Sequence, residues 1–125
     1  MRYALSQFGI YEAEDENLRR LIGPPLEHAF RDYYGFDEVK SDRVVVYFRA
    51  MMHKEGIQLY VPYPGIAETL KELKDSGKRL AVVTSKIDHI ARETLRRTGL
   101  IDYFEVISAQ QPGVVVDKEV ILAKP

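Results

Sequence analysis

Leu80-Ala81-Val82-Val83-Thr84-Ser85-Lys86 is an unbroken apolar run that turns abruptly into two hydroxyls and a cation. Four apolar residues without polar alternation suit a parallel strand covered on both faces, so the run is expected to be an interior strand that ends at Thr84. Downstream, Ile90, Ala91, Thr94 and Leu95 recur at helical spacing from near Asp88 to Gly99, and Phe104-Glu105-Val106-Ile107-Ser108 follows as a second strand. Upstream, Ile66, Leu70 and Leu73 mark a helix that Gly77 stops. Helix, strand, helix and strand in alternation indicate an α/β domain with a parallel βαβ unit.

Before Val61-Pro62-Tyr63-Pro64-Gly65 the pattern is different, and the chain reads as about four helices broken by glycine and proline. Tyr3, Ala4, Leu5 and Phe8 suggest a helix closed at Gly9, and Asp15 is a candidate cap for a second that carries Leu18, Leu21 and Ile22. A third presents Leu26, Phe30, Tyr33 and Tyr34 on one face, with Gly35 placed to close it. Val44-Val45-Val46-Tyr47-Phe48 has strand propensity, but Val44, Tyr47, Phe48, Met51 and Met52 keep a helical stripe over a segment too long for a strand, so 37–54 is expected to be helical. The expected organisation is an N-terminal α-helical domain, 1–60, followed by the α/β core, 61–125.

Composition narrows the function classes. With 18 Lys and Arg against 19 Asp and Glu, there is no net field to recruit nucleic acid or an anionic membrane. Without cysteine there is no disulfide framework, thiolate nucleophile or thiolate metal site, which suits a reducing compartment. No apolar run reaches the roughly 20 residues of a membrane span, and the first residues lack a secretory pattern. Cytoplasmic location is therefore expected. His28, His53 and His89 fall in separate segments without metal-ligand spacing, and neither G-x-x-x-x-G-K-[ST] nor G-x-G-x-x-G occurs.

Ligands of open parallel sheets bind beyond the carboxyl ends of the strands, where helix N-termini present N–H groups to anions. There the Thr84 hydroxyl and the N–H groups of Ser85 and Lys86 could hold a phosphate oxygen. The plain alternative is that a β-branched Thr84 finishes the strand while Ser85 or Asp88 caps the next helix. Lys118, after the 110–117 loop, is a candidate cation for the same strand ends, though a solvated surface lysine is the commoner case.

Five stretches in order, Phe8-Gly9-Ile10, Leu21-Ile22-Gly23-Pro24-Pro25-Leu26, Tyr34-Gly35-Phe36, Tyr63-Pro64-Gly65-Ile66 and Leu80 to Lys86, give the chain a resemblance to the haloacid dehalogenase-like hydrolases. Within them it resembles the phosphoglycolate phosphatase-like branch with a helical cap. The resemblance implies that residues 1–60 are cap and 61–125 a partial Rossmann-like core, that Thr84 binds the phosphoryl group, and that Lys118 is the later lysine, with Lys124 as the alternative. It also implies that Arg49, in Phe48-Arg49, is a possible substrate contact, although a surface salt bridge is the simpler role. Mg2+ is the implied cofactor and a small phosphorylated metabolite the implied partner.

That family attacks phosphorus with an aspartate of a D-x-D-G-T loop and holds Mg2+ partly through a Gly-Asp motif. This sequence has no two aspartates separated by one residue and no Gly-Asp dipeptide. The expectation is thus a fragment of a phosphatase, truncated at both ends and inactive alone, with no metal ligands of its own. The alternatives are a short non-catalytic phosphate-binding or interaction protein and another reaction of the same superfamily. Exposed sheet edges would then favour a homo-oligomer.

Overall fold

The computed structural model describes residues 1–122, which form two compact units, Met1–Glu55 and a second from Gly56 onward. The first unit contains α1 (Arg2–Ser6), α2 (Asp15–Arg19), α3 (Leu26–Tyr34) and α4 (Glu38–Lys54). Its core joins Leu5, Leu21, Ala29, Phe30, Phe36, Val44 and Val45, all buried. The Phe30 and Phe36 rings stack, with centroids 6.1 Å apart. Gly35 turns the chain between them: it closes α3 at φ 63°, ψ 26°, a left-handed conformation that a side chain disfavours. Asp37 then starts α4 by accepting from the Lys40 N–H at 2.7 Å.

The Val44-Val45-Val46 segment is helical because burial of Val44 and Val45 against α1 and α3 outweighs the β preference of branched side chains, leaving Val46 on the exposed side. Asp15, expected as the cap of the second helix, is instead its first residue. Its carboxylate is drawn to the Arg2 guanidinium at 2.5 Å, and the same guanidinium also donates to the Glu12 and Ala13 carbonyls.

The second unit begins with a 3₁₀ turn, Gly56–Leu59, and continues through α5 (Ile66–Asp75), β1 (Ala81–Ile87), α6 (Asp88–Arg97), a 3₁₀ turn at Ile101–Tyr103, β2 (Val106–Gln110) and α7 (Lys118–Leu122). β1 and β2 are parallel, with α6 as the crossover that parallel pairing requires. Glu105 leads into the ladder by donating to the Leu80 carbonyl at 2.9 Å. The 3₁₀ turn before it consumes Phe104, so the second strand starts at Val106 rather than Phe104. Among the described residues β1 has one strand neighbour, and its residues are half-buried or exposed rather than covered on both faces.

Thr84 does not end the first strand. The register runs evenly from Ala81↔Val106 to Thr84↔Ala109, then jumps to Ile87↔Gln110, so Ser85 and Lys86 are extra residues in a bulge. The strand resumes at Ile87, which puts the N-cap position of α6 on Ile87 and not on Ser85 or Asp88. No side chain caps that end.

Candidate functional site

The bulge brings the hydroxyl–hydroxyl–cation sequence to the junction of β1 with the N-terminus of α6. Thr84 and Ser85 are half-buried there. The Thr84 Oγ1 accepts from the Lys86 N–H at 3.1 Å, a local turn that accounts for one of the two N–H groups expected to face an anion. The Lys86 ammonium is engaged as well: Nζ donates to the Tyr60 hydroxyl at 2.9 Å and stands 4.7 Å from the centre of the Tyr60 ring. α6 follows at once with the positive end of its dipole. Asp88, in its first turn, is bound by Arg92 at 2.9 Å, and Arg92 reaches on to the Ile107 carbonyl of β2 at 3.3 Å. That guanidinium fastens the helix to the strand and offsets the carboxylate in the first turn of α6.

Lys118 opens α7, which packs on both β1 and β2. The Ser108 hydroxyl donates to the Ile121 carbonyl at 3.0 Å, and Ile121 is buried. The Lys118 side chain is exposed. Thr84, Ser85, Lys86 and Lys118 thus belong to elements in mutual contact, while Arg49 belongs to the first unit. There its guanidinium is 2.9 Å from Glu27, whose side chain is only 7 % exposed. Lys124 lies outside the described residues.

Two residues beside these strand ends escaped the sequence reading. Tyr60 carries no motif that would have flagged it. Gln110, at the end of β2, is 2 % exposed and its Oε1 has no hydrogen-bond partner among the described residues; a glutamine at a strand end gives no sign of burial.

The fit to magnesium is poor. Among the described residues no three His, Cys, Asp or Glu side chains converge to hold a metal ion, whereas Mg2+ needs oxygen ligands around an octahedron. Among the same residues no helix is long and apolar enough to cross a membrane.

The family model for haloacid dehalogenase-like hydrolases matches residues 1–118. The chain belongs to this family. A 5'-nucleotidase of Pseudomonas aeruginosa is 32 % identical over 123 residues, 98 % of this chain and 56 % of that protein. Pyrophosphatase PpaX of Halalkalibacterium halodurans is 38 % identical over 88 residues, 70 % of this chain and 40 % of that one. Among solved structures, a predicted phosphatase from Clostridium acetobutylicum superposes with a TM-score of 0.91 at 32 % identity, covering 97 % of this chain and 56 % of that chain. The chain therefore spans about half the length of the haloacid dehalogenase-like relatives it matches, and its parallel pair is part of their Rossmann-like core.

Proposed function

We propose that this chain supplies the phosphate-binding part of a phosphatase that hydrolyses small phosphate monoesters such as phosphoglycolate. The observation that carries the reading is the β1 bulge: it sets Thr84, Ser85 and Lys86 at the uncapped N-terminus of α6, on strands that also carry the helix opened by Lys118. In this reading the Thr84 hydroxyl and the Ser85 N–H take phosphoryl oxygens, and Lys118 neutralises the charge that grows on them as the ester bond breaks. The Lys86 ammonium, presented by Tyr60, adds a second positive charge. The helical unit, Met1–Glu55, is read as the family's cap, the part that excludes water and selects the leaving group.

In this reading attack on phosphorus is made by a carboxylate, which the family resemblance places on an aspartate that would become an aspartyl-phosphate. No aspartate of this sequence stands in that motif, so the nucleophile belongs to a segment other than these residues. The lack of converging acidic side chains among the described residues favours a second reading, a non-catalytic phosphate-binding module.

Titrating the isotope-labelled chain with inorganic phosphate tests the common part of both. Amide signals of residues 84–88 and the Lys118 side chain should move saturably, and Thr84→Val or Lys118→Ala should weaken the response. Signals that stay fixed to millimolar phosphate would sink the assignment. Assaying the same chain against an aryl phosphate separates the readings further: turnover lost in Lys118→Ala would place a nucleophile within these residues.

A further inference from the structure

Gln110 closes β2 with a buried carboxamide whose Oε1 accepts no hydrogen bond among the described residues, although acceptors in that position are normally satisfied. Its surroundings say which group can satisfy it. Side chains two apart on a strand share a face, so Gln110 points to the same side of the sheet as Ser108. That side is occupied by α7, because the Ser108 hydroxyl is bonded to the Ile121 carbonyl. A helix entered from the end of β2 and lying back on the sheet runs against the strand. From the Ser108–Ile121 contact, Gln110 is then displaced by about 6.6 Å along the strand. Lys118, three residues before Ile121 and on the same helix face, is displaced by about 4.5 Å in the same direction. On that geometry the buried acceptor and the first residue of α7 are offset by roughly 2 Å along the strand, within the reach of a lysine side chain.

We propose that Gln110 is a positioning residue for Lys118: its Oε1 accepts a hydrogen bond from Lys118 Nζ and draws the ammonium from solvent to the carboxyl ends of β1 and β2. The proposal rests on the reading of Lys118 as the phosphate-neutralising cation and adds how an exposed, flexible side chain acquires a fixed place. An ammonium has three donors, so one given to Gln110 leaves two for phosphoryl oxygens.

The test uses the whole chain with its lysines labelled at the ε position, Lys118 assigned by the signal missing in Lys118→Ala. Gln110→Met keeps the size and removes the acceptor. It should displace the Lys118 ε signals and weaken inorganic phosphate binding roughly ten- to hundredfold, the range for a hydrogen bond to a charged group. It should do so with little change in the melting temperature, since the buried acceptor's desolvation cost goes together with its bond to a surface lysine; a purely structural role would lower stability and binding together. Combined with Lys118→Ala, Gln110→Met should weaken binding no further. Viewed from the other partner, Lys118→Met, a surface change, should shift the Gln110 side-chain amide signals. Lys118 ε signals that coincide in the parent and Gln110→Met chains, or a Gln110 amide indifferent to Lys118→Met, would overturn the proposal. A parent chain blind to phosphate would instead refute the phosphate reading, and the two signal comparisons in phosphate-free buffer would still decide this one.

Discussion

Replacing Arg49 by methionine should strongly destabilise the first unit, because it leaves the Glu27 carboxylate in the protein interior without a counter-charge. The pair is 2.9 Å apart, with side-chain exposures of 31 % for Arg49 and 7 % for Glu27. The second Glu27 oxygen, Oε2, already lacks a hydrogen-bond partner among the described residues. Breaking a buried pair from one side costs about 3–5 kcal/mol, and the partial exposure of Arg49 places this case near the lower limit, about 3 kcal/mol. A unit of the size of Met1–Glu55 has a total stability of roughly 3–8 kcal/mol at the usual stability per residue, so the loss is a large share of the whole. In urea, with a slope of about 1–2 kcal/mol per molar, the midpoint should fall by roughly 1.5–3 M when followed by far-ultraviolet circular dichroism. The double variant Glu27→Gln, Arg49→Met removes both charges and should recover more than half of that loss. A midpoint within about 0.5 M of the parent for Arg49→Met, or a double variant no more stable than the single one, would refute the burial argument. The first outcome would return Arg49 to the role of a solvent-facing group available to substrate.

Three further outcomes are expected. Asp37→Ala should destabilise by about 1 kcal/mol through loss of its bond to the Lys40 N–H, lowering the melting temperature by roughly 4–8 °C, while Asp37→Asn should retain most of the parent value. Gly35→Ala should also cost about 1 kcal/mol in urea titration, from the left-handed backbone alone, because an added Cβ would meet nothing within 4 Å. Burial, and then the Glu12 carboxylate that accepts the phenol proton at 2.9 Å, raise Tyr34 from 10.0 to about 12. The unfolded chain therefore releases this proton first, and stability should fall as pH rises between those values; Tyr34→Phe should flatten that slope in chemical denaturation across the alkaline range.

Periodicity carried the helices and strands into view because it reports burial directly. Leu26, Phe30 and Tyr34 at helical spacing, ended by Gly35, give α3 almost to the residue, and the longer stripe through Phe48 and Met52 settles α4 as helix despite three consecutive valines. The bulge was not legible. Thr84-Ser85-Lys86 after an apolar run looks like a strand end, and only pairing with Gln110 two residues later than an even register would allow shows that the strand continues. Polar burial was equally hidden. Glu27, Ser41 and Gln110 are of types that composition assigns to the surface, yet each is at most 5 % exposed, because neighbouring elements cover them. For the candidate site, residue chemistry in order along the chain proved informative, whereas Tyr60 depends on a contact spanning 26 residues that no local pattern encodes.

That contact has a mechanical meaning. Tyr60 directly follows the 3₁₀ turn that begins the second unit, and it grips Lys86 in the bulge through both its hydroxyl and its ring. Tension applied at the entrance of the unit would pass straight to the end of β1, bypassing α5 and the loops on either side. The phenol is a rivet across the chain: with it intact the entrance and the strand end yield together, and in Tyr60→Ala the entrance should peel away first, at lower force, before the strands part.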